Sequence, residues 1–277
     1  MSAFGYDFMQ YALLAGLLGG VACSLVGVLV VSMHLSFIGV CLSHAAFAGA
    51  VIAVFAGLNP LGGALVFSLA AAAAIGPLAD RGEFNPDTSL GIVFTLMMGT
   101  AFLFMGLMAG PKTEVLGIMW GSILMVRLPD LLILAASALL ATGVVVVFFK
   151  EIQALLFNRE IAAAVGLPAT WVFYGLLFLT GLTVAASLYP IGGLLVYSLI
   201  LNPAAAAYQL TYDLRRVFVL AAVFGVLSCW TGLVTAYYAD WPCGATIVIV
   251  STLIFLLANW LSPKKKVKRF NEAQAGS

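Results

Sequence analysis

Charge is what this chain has least of. Asp, Glu, Lys and Arg make up 8% of its 277 residues, against ~25% in a soluble domain. Between Asp7 and Asp80 they are missing altogether, over 72 residues from 8 to 79. That scarcity excludes a soluble fold, and because the few basic residues are massed on no mid-chain segment it also excludes a nucleic-acid-binding face. The four cysteines, Cys23, Cys41, Cys229 and Cys243, are scattered singly, so there is no disulfide framework and no C-x-x-C zinc signature. A G-x-x-x-x-G-K-[ST] loop is absent, down to the lack of any Gly-Lys pair, as are H-E-x-x-H, a spaced carboxylate pair and a G-x-S-x-G elbow. Without phosphate-cradling or nucleophilic machinery, the chain is not read as an enzyme and is assigned no cofactor of its own. The first eight residues carry no basic region, and the apolar stretch after them has no A-x-A-like site, so it is read as a retained helix and not a signal peptide.

What is present is apolar: 64% of the residues, with a mean hydropathy of +1.14. A helix needs ~20 apolar residues to cross a bilayer. Charged or Pro/Gly-rich breaks cut the sequence into runs of that length, which predicts helices at 9–32, 35–57, 60–79, 88–109, 129–149, 169–187, 190–208, 214–238 and 243–261. The fold class is all-α, a polytopic transmembrane bundle of nine spans, or eight if one proves re-entrant. Residues 1–262 form one transmembrane domain, and 263–277 a basic tail expected to be flexible. The stretch 115–126 holds only 12 uncharged residues between Glu114 and Arg127, too few to cross, and reads as a re-entrant or interfacial helix.

Basic residues near span ends stay in the cytoplasm. With the tail inside, Arg81, Lys150, Arg159, Arg215, Arg216, Lys264, Lys265, Lys266, Lys268 and Arg269 share its side, against Lys112 and Arg127 opposite. Ten against two sets the C-terminus in the cytoplasm; nine spans then put the N-terminus outside, and eight would put it inside. One connection on the tail's side, KEIQALLFNREIAAAVGLPAT at 150–170, is too structured for a plain loop. Its second half opens at Arg159 and Glu160, runs through Ala164 and stops at Gly166 with Pro168 behind it. It reads as a docking helix for a cytoplasmic partner, or as a helix lying on the membrane surface. Further on, Asn202-Pro203 falls inside a span, where proline removes a backbone hydrogen bond; the helix is expected to break or kink there, either lining a pathway or being absorbed by packing.

In the middle of the charge-free run, in CLSHAAFAGA, stands His44. An ionisable ring at that depth is a functional candidate by default, the plain alternative being a structural bond to a neighbouring carbonyl. No carboxylate lies within any predicted span, whereas an ion-coupled carrier normally needs one near the midplane. Energy must then come from another chain, or the process is passive, as in a channel or a secondary carrier without an ATPase partner.

Five motifs, in order, carry a resemblance that runs from about residue 12 to 261. They are S-F-I-G-V-C-L-S-H-A-A-F-A-G at 36–49, D-T-S-L-G-I-V-F at 87–94, E-I-A-A-A-V-G at 160–166, G-G-L-L-V-Y-S-L-I-L-N-P-A-A-A-A at 192–207 and D-W-P-C-G-A-T-I-V-I-V at 240–250. The chain resembles the membrane permease subunits of ATP-binding-cassette importers for zinc, manganese or ferrous iron. The resemblance implies a homodimer in a bacterial or archaeal inner membrane, two cytoplasmic ATPase subunits that hydrolyse ATP, and an extracytoplasmic binding protein that delivers the divalent metal ion. Residues 150–168 would be the coupling segment, with Arg159, Glu160, Ala164 and Gly166 facing the ATPase. Members typically carry an Asp four residues before the histidine; here that position is Val40, so His44 keeps its place without its carboxylate partner. Cys41, three residues before His44, is either a soft second ligand or a small packing residue. Asp240 either draws cations to the outer mouth or caps the last helix. A cargo changed by Val40, such as a metal chelate, is the remaining alternative.

Overall fold

The computed structural model describes residues 7–80, 86–108, 116–118, 121 and 123–264. In hydrocarbon every backbone polar group must be satisfied within its own segment, so long apolar runs become helices. The helices are α1 (Asp7–Ser32), α2 (Ile38–Phe55), α3 (Pro60–Asp80), α4 (Pro86–Leu107), α5 (Leu128–Val147), α6 (Phe149–Phe157), α7 (Arg159–Ala164), α8 (Ala169–Ile191), α9 (Gly193–Leu210), α10 (Leu214–Ala239) and α11 (Cys243–Trp260), with a 3-10 turn at Ile123–Met125 before α5. Among the described residues nine of these are long and apolar enough to cross a membrane; α6 and α7 are too short. Residues 116–118 are helical, and Ile118 and Ile123 are buried, so the described part of the expected 115–126 helix folds onto the bundle. The basic tail lies outside the described residues from 265 onward.

α1 is the axis of the bundle, packed by α5, α8, α9 and α10, while α2 packs on α3, α4, α8 and α9. In their most apolar stretches 72% of α1 and α2 residues are buried, against 22% in α4 and α11. The peripheral helices therefore turn side chains such as Leu96, Phe102, Leu103, Leu253 and Leu256 outward, the surface a bilayer would cover. Inside, helices meet through small residues: a Cβ on Gly49 would lie 2.1 Å from the Gly63 carbonyl oxygen, and one on Gly27 1.9 Å from that of Ile200. Such close backbone approach supplies the packing that the hydrophobic effect cannot supply between helices in lipid.

The ends of the helices sort into two sets. His34, Gln153, Tyr208, Tyr212 and Asp213 surround one cavity, and the start of the tail joins them, with Ser262 Oγ donating to Gln209 O at 2.8 Å and Lys264 Nζ to the Tyr208 carbonyl. Partial burial pulls the Lys264 ammonium below the ordinary lysine range, while the Tyr212 ring, 4.1 Å from Nζ, favours its charge. Asn59, Asp130, Tyr189 and Pro190 gather around a second cavity, and Gly121 with Trp241 to Ala245 around a third.

One sequence expectation changes here, and of the two readings of Asn202-Pro203 the one absorbed by packing is seen. Pro190 was expected to separate two spans, but α8 continues through it to Ile191, and the chain turns at Gly192 (φ 95°, ψ 146°), a conformation open to glycine. Nor does the helix break at Asn202-Pro203: α9 runs unbroken to Leu210. The carbonyl four residues before Pro203 belongs to Leu199, and Ser24 Oγ of α1 donates to it at 3.4 Å, so packing absorbs the missing bond. Asn202 Nδ2 lies 2.9 Å from Ser251 Oγ, 3.1 Å from Thr252 Oγ1 and 3.2 Å from Ser198 Oγ. The residue is thereby a polar clamp between α9 and α11. Asn202→Ala is expected to cost about 1 kcal/mol, in the range of such bonds inside membranes, read as a lower unfolding midpoint in detergent. An unchanged midpoint would show that the clamp contributes nothing.

Candidate functional site

On α2, Val40, Ser43, His44 and Phe47 follow the spacing i, i+3, i+4, i+7, which puts them on one helical face. That face and Leu188 of α8, with Gly193, Leu194 and Tyr197 of α9, enclose a cavity of about 320 Å³. Its walls are overwhelmingly apolar. Among the described residues that line it, the polar side chains are Ser43, His44 and Tyr197, and none is a carboxylate.

The imidazole is held at two points. His44 Nδ1 lies 2.8 Å from the Val40 carbonyl oxygen; a carbonyl only accepts, so Nδ1 carries the hydrogen. In the neutral ring the lone pair is then on Nε2, which is the arrangement of a metal-ligating histidine fixed by a second partner. The other restraint is Phe94 of α4, edge-on to the imidazole at 4.8 Å between centroids and itself braced by Phe37 at 5.6 Å. Ser43 Oγ donates to Gly39 O at 2.7 Å, one turn back, which leaves its lone pairs available.

Other sequence candidates lie apart. Cys41 is fully buried in the packed core and is absent from the cavity wall. Asp240 is exposed and left-handed (φ 56°), and its backbone N–H bonds the Ala236 carbonyl, ending α10; Pro242 occupies the N-cap position of the last helix, with no side-chain cap bond there, so the capping alternative for Asp240 does not hold. Asn202 and Pro203 do not line the cavity either. Among the described residues no three His, Cys, Asp or Glu side chains come together. This cavity can offer a cation one strong nitrogen ligand and weak hydroxyl oxygens, a set suited to contact and release, not to stable holding. Tyr197 escaped the sequence reading because it meets α2 only through tertiary packing. Spacing from His44 alone would have found Phe47.

The segment between α5 and α8 has its own construction. Asn158 Oδ1 accepts from the N–H groups of Glu160 (2.9 Å) and Ile161 (3.0 Å), starting α7. Gly166 (φ 89°) stops it, with Leu167 N–H bonded to Ala162 O. The buried side chains Ile152, Leu155 and Ala162 hold the segment on the bundle. Arg159 is tied to α8, its guanidinium 4.5 Å from the Phe173 ring centre and its Nη2 3.3 Å from Thr170 Oγ1. Glu160, Ala164 and Gly166 are exposed, together with the large apolar side chains of Phe157, Ile161 and Val165.

Comparison with known proteins agrees with this architecture. Residues 5–262 match the family described as the ABC 3 transport family. The chain is 32% identical over 260 residues to the manganese transport system membrane protein MntC of Listeria monocytogenes, covering 94% of this chain and 92% of the relative. It is 31% identical over 271 residues to the chelated iron transport system membrane protein YfeD of Yersinia pestis, with 96% and 90% covered. Among solved structures, PsaBC from Streptococcus pneumoniae in complex with Fab superposes with a TM-score of 0.85 at 26% identity, covering 96% of both chains. With nine helices of spanning length among the described residues, and matched over nearly its whole length by this family, the chain belongs to it: it is a permease of the ABC 3 transport family.

Proposed function

We propose that two copies of this chain form the pathway of an ATP-driven importer that carries a divalent transition-metal ion across a bacterial or archaeal inner membrane. The observation that carries this reading is His44: an imidazole with Nδ1 committed to the Val40 carbonyl, leaving Nε2 for a cation, in a cavity with no other strong ligand. An extracytoplasmic binding protein delivers the ion. ATP is hydrolysed on separate cytoplasmic subunits that dock on α6 and α7, where Phe157, Ile161 and Val165 form an apolar patch beyond the spans, beside Glu160 and Ala164. That patch disfavours a passive channel or secondary carrier, which needs no such surface. The start of the tail and these segments share one end of the bundle, and the sequence puts most basic residues next to the spans that end there, which supports reading this end as cytoplasmic.

Without a carboxylate the cavity lacks the hard oxygen ligand that manganese favours, and a nitrogen ligand in apolar walls suits zinc or ferrous iron better. The same walls support a second reading, in which the cargo is a metal chelate whose organic shell meets the apolar lining, as the chelated-iron name of one relative invites.

His44→Ala is expected to lower uptake of the transported metal by about tenfold or more, as loss of the one strong ligand would require; cells expressing the variant and given labelled zinc, manganese or iron provide the measurement, and unchanged uptake would remove His44 from the mechanism. Val40→Asp, which sets a carboxylate one turn before the imidazole, is expected to shift the preference among these ions towards manganese. Ile161→Asp is expected to abolish copurification of the ATPase subunit while the permease itself is recovered at normal yield, since a charge placed in an apolar docking patch must be desolvated. ATPase activity of the reconstituted complex, scanned across divalent ions, separates bare-ion from chelate transport: a flat response to all of them favours the chelate.

A further inference from the structure

Of the polar side chains in the wall of the His44 cavity, two are engaged by the fold. Ser43 gives its hydrogen to Gly39 O, and His44 Nδ1 is bonded to the Val40 carbonyl. The third, Tyr197 of α9, has no hydrogen-bond partner for its hydroxyl among the described residues. Nor is that hydroxyl sealed in by protein, as those of Ser89, Ser137 and Thr183 are. A phenol oxygen set in apolar walls is costly unless something in the cavity meets it.

The helix opposite fixes where the ring lies. A Cβ added to Gly39 of α2 would lie 3.2 Å from Tyr197 Cδ2, so the ring rests on bare backbone and a side chain at 39 would crowd it. Val40, the next residue, lines the same cavity. α9 thus sets a phenol beside the position where the family resemblance leads one to expect a carboxylate and this chain has an isopropyl group. A phenol oxygen accepts through its lone pairs while its hydrogen points elsewhere. It is a harder donor than imidazole nitrogen.

From this placement we infer that Tyr197 is the second contact of the cargo ion, an oxygen donor from α9 that stands in for the carboxylate absent at position 40 and sets how well manganese and ferrous iron are carried relative to zinc. The inference rests on the reading of His44 as the pathway ligand. Imidazole alone ranks zinc well above manganese, and an added oxygen narrows that gap because harder ions gain most from it. Being neutral, the phenol does this without the tight hold of a carboxylate. Nitrogen and oxygen come from different helices, so separating α9 from α2 parts the two donors and lets the ion go.

Uptake of labelled zinc, manganese and iron by cells expressing the complete transporter tests the assignment. Tyr197→Phe keeps the ring on Gly39 and removes only the oxygen. It is expected to lower manganese and iron uptake about fivefold relative to zinc, at an unchanged amount of permease in the membrane. In the Val40→Asp background, where a carboxylate already supplies the oxygen, the same Tyr197→Phe change should leave the ratio unaltered within about twofold, the non-additivity expected of two groups that serve one ion. An equal drop in both backgrounds, an equal loss for all three ions, or a ratio in Tyr197→Phe no different from that of the unaltered chain would each overturn the proposal. His44→Ala in the same cells separates the two readings. Unchanged uptake there removes the pathway reading and this proposal with it, whereas lost uptake there, together with an unmoved ion ratio in Tyr197→Phe, removes Tyr197 alone.

Discussion

Everything in this molecule follows from one constraint: a polar group surrounded by hydrocarbon has to find its partner within reach of its own or an adjoining helix, since no water will supply one. The bundle meets the requirement mostly at a distance of one turn. Ser43 donates to Gly39 O, Thr180 to Leu176 O and Ser228 to Phe224 O. Where a turn is not enough, the partner comes from a neighbouring helix, and such bonds set which helices touch. Ser24 of α1 satisfies the carbonyl released by Pro203 in α9, and Ser68 of α3 donates to Gly181 O of α8 at 2.8 Å. Among the described residues the hydroxyls of Ser89, Ser137 and Thr183 are buried with no partner. Against this background His44 stands out because only half of its capacity is used by the fold.

The same constraint explains which parts of the chain were legible in advance. The absence of charge fixes the spans, because a continuous apolar run has no other stable state in a bilayer. Arg159 and Glu160 at the start, and Gly166 with Pro168 at the end, mark the limits of α7 because helix stops of this kind are local chemistry; the Asn158 cap was not read. What sequence could not show is how a proline is accommodated. Pro190 and Pro203 both read as interruptions, yet both sit inside helices, since the outcome depends on what the facing helix offers, and Ser24 lies 179 residues away from Pro203 in the chain. Likewise Cys41 and His44 are only three residues apart, but the packing of α2 on two sides sends one into the core and the other into the cavity. Tyr197 and Leu194 acquire meaning only when α9 is laid beside α2.

Stops without glycine show the reverse relation, local strain tolerated for position. His34 and Asp240 both adopt φ 56°, a left-handed conformation that His and Asp accept more readily than most side chains. At each, the next residue closes a backbone bond to the helix it leaves, Leu35 to Val30 O and Trp241 to Ala236 O. Leu35 is then buried in the core, which fixes the angle at which the chain enters α2. The face bearing Val40, Ser43, His44 and Phe47 is aimed by that turn. A site formed by one helical face is thus oriented from its ends as well as by its contacts.

Sparse ligation follows from what transport demands of such a site. An ion held by several strong ligands in low dielectric would leave slowly, and a pathway has to bind weakly enough for its cargo to pass on. Family resemblance leads one to expect a carboxylate beside the histidine, where Coulomb attraction would be unscreened by water and correspondingly strong. Val40 removes that attraction and substitutes nothing for it, although its backbone still orients the ring through the carbonyl that accepts from Nδ1. Under the proposed function His44 would be positioned as firmly as in a two-ligand site but would hold the ion less tightly. Under this arrangement discrimination among metals cannot rest on charge, which all divalent ions share. In the proposed pathway it would rest on affinity for an aromatic nitrogen, which favours softer ions over manganese.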